Sequence, residues 1–210
     1  MPAFPPGRPR GGLLAAILGL LLLAGCGVND IPTYEEQAKA AWSEVLNQYQ
    51  RRSDLVPNLV ATVKGSAAFE RETLEAVIAA RAKATQVQVT ADTLTNPEAF
   101  RQFQQSQDAL TSALSRLLVV AERYPDLKAS EAFLTLQSQL EGTENRIAVA
   151  RRDYIAAVAR YNTELRTFPG RLWAALLYSD AKPMETFTIP AEQQAAPTVD
   201  FGAPQQQKTE

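Results

Sequence analysis

The sequence contains no histidine and a single cysteine, Cys26, in 210 residues. Without an imidazole the chain has no histidine general base or metal ligand, and one cysteine makes neither a disulfide framework nor a zinc cluster. The formal net charge of −2, from 21 basic and 23 acidic residues, lacks the basic excess of proteins that bind phosphate backbones. These absences exclude nucleic-acid binding and most familiar catalytic and metal chemistry, and we expect no cofactor.

The N-terminus has the pattern of a bacterial lipoprotein signal. Arg8 and Arg10 precede an apolar run over residues 13–24, LLAAILGLLLLA. Its helical length of about 18 Å falls short of the ~30 Å bilayer core, so it is a signal segment and not a spanning helix. The run ends in LAGC (23–26), which resembles a lipobox with Cys26 as the acylated residue. We expect residues 1–25 to be a signal peptide and residues 26–32 a membrane tether; the alternative is an uncleaved anchor with an unmodified cysteine.

Two or three acyl chains on Cys26 would hold the mature chain durably on a membrane, because a single chain binds only reversibly. We therefore expect the protein on the extracytoplasmic face of a bacterial cell envelope. Gly27 follows the cysteine where a retention signal would often have aspartate. The sequence therefore allows anchoring in either the inner or the outer membrane.

From residue 34 to residue 168 the composition and periodicity are helical, with no strand-length alternation, which predicts an all-α protein. Three segments carry an apolar stripe. The first, over 33–86, is predicted to be one rod bent at Pro57; the alternative is a new helix capped by Ser53 or Asp54. Asn96-Pro97 starts the second, which ends before Pro125. The third carries apolar side chains from Phe133 to Phe168.

Rods with one apolar side each must bury those sides together, which favours an antiparallel bundle. Trp42 lies in the first stripe and is predicted to be core; an exposed partner contact is the alternative. LWAALLY (172–178) is predicted to be a short helix that packs across the bundle end or, alternatively, dips into the bilayer interface. The Pro- and Gln-rich residues 188–210 are expected to be largely disordered, which leaves 33–187 as the bundle domain.

Four strings carry a family resemblance: AWSEVLNQYQRRSDLVPNLVATVKG (41–65), AERYPDLKASEAFLTLQSQLEGTENRIAVARRDY (121–154), RYNTELRTFPG (160–170) and PTVDF (197–201). Through them the chain resembles the LemA family. The resemblance implies a membrane-anchored, extracytoplasmic, up-and-down four-helix bundle with no established enzymatic activity or cofactor. Many relatives have an N-terminal transmembrane helix where this chain has a lipobox. Some members are linked with membrane-bound proteases or with specialised membrane compartments.

Six polar residues near the apolar stripes are candidates for a polar network or a partner site: Arg52, Asp54, Asn58, Glu144, Asn145 and Arg151. Glu144 shares a helix face with Ile147 and Arg151, and that face also carries the core stripe. An ion pair or hydrogen-bonded network across helices, with Arg52 or Asn58 meeting Glu144 or Asn145, would fix the helix register. The alternatives are a groove for a partner or ligand and, with least support, a catalytic site.

We therefore expect a lipid-anchored envelope scaffold or interaction module without catalytic activity. The alternative is an accessory subunit that regulates a membrane protease or an envelope-stress system, and a hydrolase is the weakest option. The expected partner is a membrane or envelope protein close to the bilayer, because the tether is short. The sequence is also compatible with a homo-oligomer.

Overall fold

A computed structural model of the chain describes residues 27–65, 69–87 and 89–188. All regular secondary structure in these ranges is helical, which confirms the all-α class. The elements are α1 (Asp30–Lys64), α2 (Arg71–Gln86), a 3-10 helix (Ala91–Thr95), α3 (Pro97–Ala121), the single-turn α4 (Pro125–Lys128), α5 (Glu131–Glu164) and α6 (Gly170–Leu176). The expected signal peptide, Cys26 and nearly all of the expected tail lie outside the described residues.

The single rod predicted over 33–86 is wrong. Helix α1 continues through Pro57, as expected, but it ends at Lys64, and α2 begins at Arg71. Gly65 follows the last turn, where glycine is about 1 kcal/mol less favourable for helix continuation than alanine. The break lets α2 fold back on α1 and bury Leu74 and Val77 against its second half.

The predicted start of the second stripe is confirmed. The Asn96 side chain accepts hydrogen bonds from the amides of Glu98 (3.0 Å) and Ala99 (3.2 Å), and Pro97 occupies the first helical position of α3. Such a cap satisfies two of the amides that have no partner in a first turn.

The third stripe ends sooner than predicted. Helix α5 ends at Glu164, and Phe168, predicted to be core, is 84% exposed. The chain turns at this point so that Gly170 approaches Glu164. A Cβ on Gly170 would overlap the Glu164 carbonyl oxygen, so this close approach requires glycine.

Helices α1 and α5 pair in opposite directions. Along the α1–α5 pair, Trp42 lies beside Tyr154, with ring centroids 5.0 Å apart, and Arg52 lies 3.0 Å from Glu144. Residue numbers therefore increase along α1 in the direction in which they decrease along α5, so the two helices are antiparallel. Helix α2 packs mainly against α3, where the Gln107 side chain donates to a carbonyl of α2.

Two apolar clusters fill the interior. The proximal cluster lies near the chain's N-terminal end and contains Ile31, Ala38, Trp42, Val45, Tyr49, Leu94, Phe100, Phe103, Ile147, Ala150, Tyr154, Val158, Tyr161, Met184 and Phe187. The distal cluster contains Val56, Leu59, Val60, Val63, Leu74, Val77, Ala80, Ala84, Leu110, Leu114, Leu117, Ala121, Leu127, Phe133 and Leu140.

Trp42 is at the centre of the proximal cluster. Its ring centroid lies within 5.9 Å of those of Phe100, Phe103, Tyr154 and Phe187. Its exposed fraction is 5%, which confirms the prediction that it belongs to the core.

Residues 178–188 form a strap over the proximal cluster, because α2 ends before reaching that end. The Asn162 side chain donates to the Met184 carbonyl and accepts from the Met184 amide, both at 2.9 Å. The Tyr154 hydroxyl donates to the Glu185 carbonyl at 2.7 Å. The sequence predicts Tyr178 as the end of the short helix and includes residues up to 187 in the bundle domain, but it predicts no packing of this segment over the core.

The short C-terminal helix is present, two residues earlier than predicted. Trp173 and Ala174 pack against the proximal cluster, whereas Leu172 and Leu176 are exposed. Within the described ranges no helix has the length and apolar character needed to cross a bilayer.

Candidate functional site

A polar layer centred on Arg52 separates the two apolar clusters. Arg52 lies three residues after Tyr49 and four before Val56, so it occupies a core position of α1. Its side chain is 1% exposed, and among the described residues it is the one charged side chain that is buried. A charge at this depth requires partners, because burial of an unpaired ion is very costly.

Four hydrogen bonds from the Arg52 guanidinium supply those partners. Nη1 donates to the Thr111 hydroxyl (2.6 Å) and to a Glu144 carboxylate oxygen (3.0 Å). Nη2 donates to the backbone carbonyl (3.1 Å) and the side-chain oxygen (2.7 Å) of Gln107. The Gln107 amide donates in turn to the Ala84 carbonyl at 3.3 Å. The polar layer therefore links α1, α2, α3 and α5.

The electrostatics of the polar layer are asymmetric. Glu144 is 40% exposed, so water solvates part of the carboxylate that balances the buried guanidinium. The guanidinium carbon also lies 4.9 Å from the centre of the Tyr49 ring, within cation–π range. Burial raises the pKa of Tyr49 above its usual value, although Arg151 and Arg52 oppose this, and the phenol therefore stays neutral around pH 7.

The structure brings together two of the six predicted site residues, Arg52 and Glu144. Asp54, Asn58 and Asn145 are exposed and lie outside the polar layer. Positions two and six residues after Arg52 point about 160° and 120° away from it around the helix axis, and Asn145 is rotated by about 100° from Glu144. Polar residues that are close together in the sequence therefore lie on different faces of their helix.

Arg151 lies away from the polar layer. Its guanidinium carbon stands 4.2 Å from the centre of the Phe187 ring, so this arginine covers the strap. Seven residues along α5 from Glu144 correspond to about 10 Å of rise, which places Arg151 over the proximal cluster.

Sequence reasoning missed Gln107 and Thr111. Gln107 lies four residues after Phe103 and three before Leu110, in the register of the apolar stripe, and it is buried. A polar residue at a core position was the feature of the sequence that could have identified Gln107. Thr111 lies one helical turn after Gln107. The apolar stripe of this helix was predicted from its apolar residues only, so the polar residues at the same spacing were not included.

The chemistry of the polar layer is that of fixed donors and acceptors. The arginine side chain has N–H donors and no acceptor, and the glutamine amide and threonine hydroxyl are neutral hydrogen-bonding groups. No cluster of three or more acidic, cysteine or histidine side chains suited to a metal ion occurs in the described ranges. A surface groove of about 300 Å³ opens beside the polar layer, with Tyr49, Ser53 and Gln107 in its lining.

Two kinds of relative match parts of the chain. Magnetosome protein MamQ 2 of Paramagnetospirillum magneticum is 38% identical over 58 residues, which are 28% of this chain and 21% of that protein. Protein LemA of Metamycoplasma hominis is 25% identical over 140 residues, 67% of this chain and 60% of that protein. The chain thus spans about a fifth of the length of the first relative and three fifths of the second.

The family model described as the LemA family matches residues 41–201. The matched range contains every helix from α2 to α6, most of α1, and all four residues of the Arg52 hydrogen-bonded group. The protein belongs to the LemA family.

Proposed function

We propose that this protein is a lipid-anchored, extracytoplasmic scaffold that binds another envelope protein along a four-helix bundle and performs no chemistry itself. Membership of the LemA family supports this proposal. The antiparallel pairing of α1 with α5 and the folding back of α2 on α1 favour an up-and-down order of the four long helices.

The polar layer is the observation that carries the proposal. The buried guanidinium of Arg52 uses four hydrogen bonds to join neighbouring helices. If α1 slid along α5 by one heptad, about 10 Å, Arg52 would enter an apolar cluster without partners. This penalty fixes one register, which suits a rigid body whose outer faces present fixed contacts.

The distance between the anchor and the bundle is short. Helix α1 begins at Asp30, so three residues separate it from Cys26. Its 35 residues rise about 52 Å at 1.5 Å per residue. A lipid on Cys26 would therefore place binding faces between the membrane surface and about 50 Å above it.

The anchor is tested by replacing its acceptor. In cells, Cys26→Ser should accumulate as an unprocessed precursor that incorporates no labelled palmitate, because the thiol is the acylated group. Ser43→Ala, a change of an exposed side chain on α1, is the control and should be processed normally. Normal processing and labelling of Cys26→Ser would remove the anchor from the proposal.

The scaffold role is tested by photo-crosslinking in intact cells. A photoreactive residue replaces in turn exposed apolar side chains on different helices: Ile78, Val119, Leu134, Val149 and Ile155. We expect adducts with one partner from one face of the bundle, lost in the Cys26→Ser background. Adducts with a membrane protease, together with altered levels of its substrates after deletion, would favour the accessory role. Turnover of a substrate by the purified protein, lost in Glu144→Gln, would contradict the proposal.

A further inference from the structure

Exposed apolar side chains are concentrated in one short stretch of the chain. Nine large apolar residues are exposed among those described, and four of them, Phe168, Leu172, Leu176 and Leu177, fall within ten residues of the chain. Their exposed fractions are 84%, 44%, 66% and 60%. We call these four residues the tether-end patch. Isolated exposed apolar residues are ordinary, whereas a contiguous group indicates a contact surface.

The fold leaves this patch uncovered while burying the other side of α6. Leu172 and Leu176 are four residues apart and share one face of the helix. Trp173 and Ala174 turn toward the proximal cluster. Helix α6 is therefore seated on the protein by one side and presents leucines on another.

The patch lies where the chain enters the fold. Gly27, the residue after Cys26, has a positive φ of 90°, and a Cβ built on it would lie 3.4 Å from Pro169 Cγ. Pro169 is the residue between Phe168 and the start of α6. Gly27 therefore lies at this corner, and in the sequence it is one peptide bond from the proposed lipid-bearing residue, Cys26.

The chemistry around the patch suits a lipid surface. Arg166 and Arg171 are exposed on the same segment, and neither forms an ion pair with the residues that the structure describes. Long arginine side chains can extend from an apolar surface and place their guanidinium groups at lipid phosphates. Leucine and phenylalanine side chains then enter the boundary between headgroups and acyl chains.

We propose that the tether-end patch seats in the interface of the bilayer that holds Cys26. The inference rests on the proposed lipid anchor, which would attach lipid one residue before Gly27, the residue that lies beside Pro169. Two attachments, the lipid and the patch, would hold the bundle at a fixed inclination, whereas a lipid alone would let it swing on its tether.

The test measures contact between the patch and acyl chains. The acylated full-length mature protein is reconstituted in vesicles of phosphatidylethanolamine and phosphatidylglycerol, with or without brominated acyl chains, which quench tryptophan on contact. Leu176→Trp reports the patch. Val119→Trp is the matched control, because Val119 is 70% exposed near the opposite end of the molecule. We expect bromine to quench the fluorescence added by Leu176→Trp about threefold more than that added by Val119→Trp, since the patch lies at acyl-chain depth.

A second pair of variants keeps the native tryptophans. Replacing both Leu172 and Leu176 by glutamine should reduce the quenching of Trp173, and Val119→Gln should leave it unchanged. Equal, weak quenching of both tryptophan variants in protein that floats with the vesicles would overturn the inference. So would a Leu176→Trp signal that depends on protein density and not on bromine, because it would indicate contact with a second copy.

Failure of the anchor has a different signature. If the mature chain carries no lipid on Cys26 and does not float with vesicles, the proposed function fails before quenching is measured. Flotation without quenching at the patch leaves the anchor in place and refutes only the seating of the patch.

Discussion

Replacing Arg52 by methionine should destabilise the protein by about 2–4 kcal/mol, because a buried acceptor left without its donor costs about 1–3 kcal/mol. Methionine matches the arginine side chain as far as Nε, so the change keeps the volume of the apolar stem and removes the guanidinium group with its hydrogen bonds. The Gln107 side-chain oxygen, in a residue that is 6% exposed, loses its 2.7 Å donor. The Thr111 hydroxyl loses the donor at 2.6 Å but still donates to the Gln107 carbonyl at 3.1 Å, and Glu144, which is 40% exposed, can rehydrate.

Urea unfolding followed by far-UV circular dichroism measures this loss. A decrease of 2–4 kcal/mol corresponds to a roughly 30- to 1,000-fold larger unfolding constant, seen as a lower midpoint at unchanged m-value. Glu144→Gln is the comparison variant and should cost less than Arg52→Met, because the amide oxygen can still accept the hydrogen bond from Arg52 and only the counter-charge is lost.

The double variant Arg52→Met with Gln107→Leu separates a lost hydrogen bond from a lost packing contact. Replacing donor and acceptor together by apolar groups removes the unsatisfied oxygen, while the Ala84 carbonyl loses its bond from the Gln107 amide. Because these two effects oppose each other, the double variant should be no less stable than Arg52→Met alone. A wild-type midpoint for Arg52→Met would refute the reasoning. The same holds if adding Gln107→Leu lowers the midpoint further.

Three further predictions concern the proximal cluster and α5. Phe187→Ala should cost about 3–5 kcal/mol in urea unfolding, because it leaves a cavity in the aromatic cluster under the strap. Gly170→Ala should destabilise and expose α6 to proteolysis, since its Cβ would overlap the last carbonyl of α5; Gly142→Ala, with only a flexible side chain 3.6 Å away, should stabilise the helix by up to about 1 kcal/mol. Burial raises the pKa of Tyr161 to about 12 and raises that of Tyr154 as well. Because unfolded tyrosines ionise at pH ~10, the contribution of these two tyrosines to the unfolding free energy should be constant below that pH and fall above it. Urea midpoints measured at increasing pH check this prediction, and Tyr154→Phe should flatten the fall.

The local sequence pattern predicted correctly those structural features that depend on a few neighbouring residues. The Asn96-Pro97 start of α3 and the burial of Trp42 follow from capping chemistry and helical spacing, and both are confirmed. The break after Lys64 could not be predicted in this way, because apolar spacing continues across it. Whether a chain bends or folds back depends on what the second segment can bury, which is a property of the other helices.

The same limit applies to the polar layer and the strap. Arg52 and Glu144 are 92 residues apart in sequence, and their contact depends on how α1 and α5 are paired and in which register. Met184 and Phe187 come from a segment without regular structure, yet they close the proximal cluster because α2 is too short to cover it. No local signal in the sequence encodes that shortfall.

The sequence by itself determined the all-helical class and the membership of the LemA family, because helical periodicity and long collinear strings are properties of neighbouring residues. It also supplied the polar candidates at the middle of the helices. Only the tertiary structure decided which of them meet, because a helix turns successive side chains by about 100° and only those that face the interior can share partners. For that reason Arg52 forms hydrogen bonds with Gln107, Thr111 and Glu144. The other polar candidates on these helices, Asp54, Asn58 and Asn145, lie at the surface.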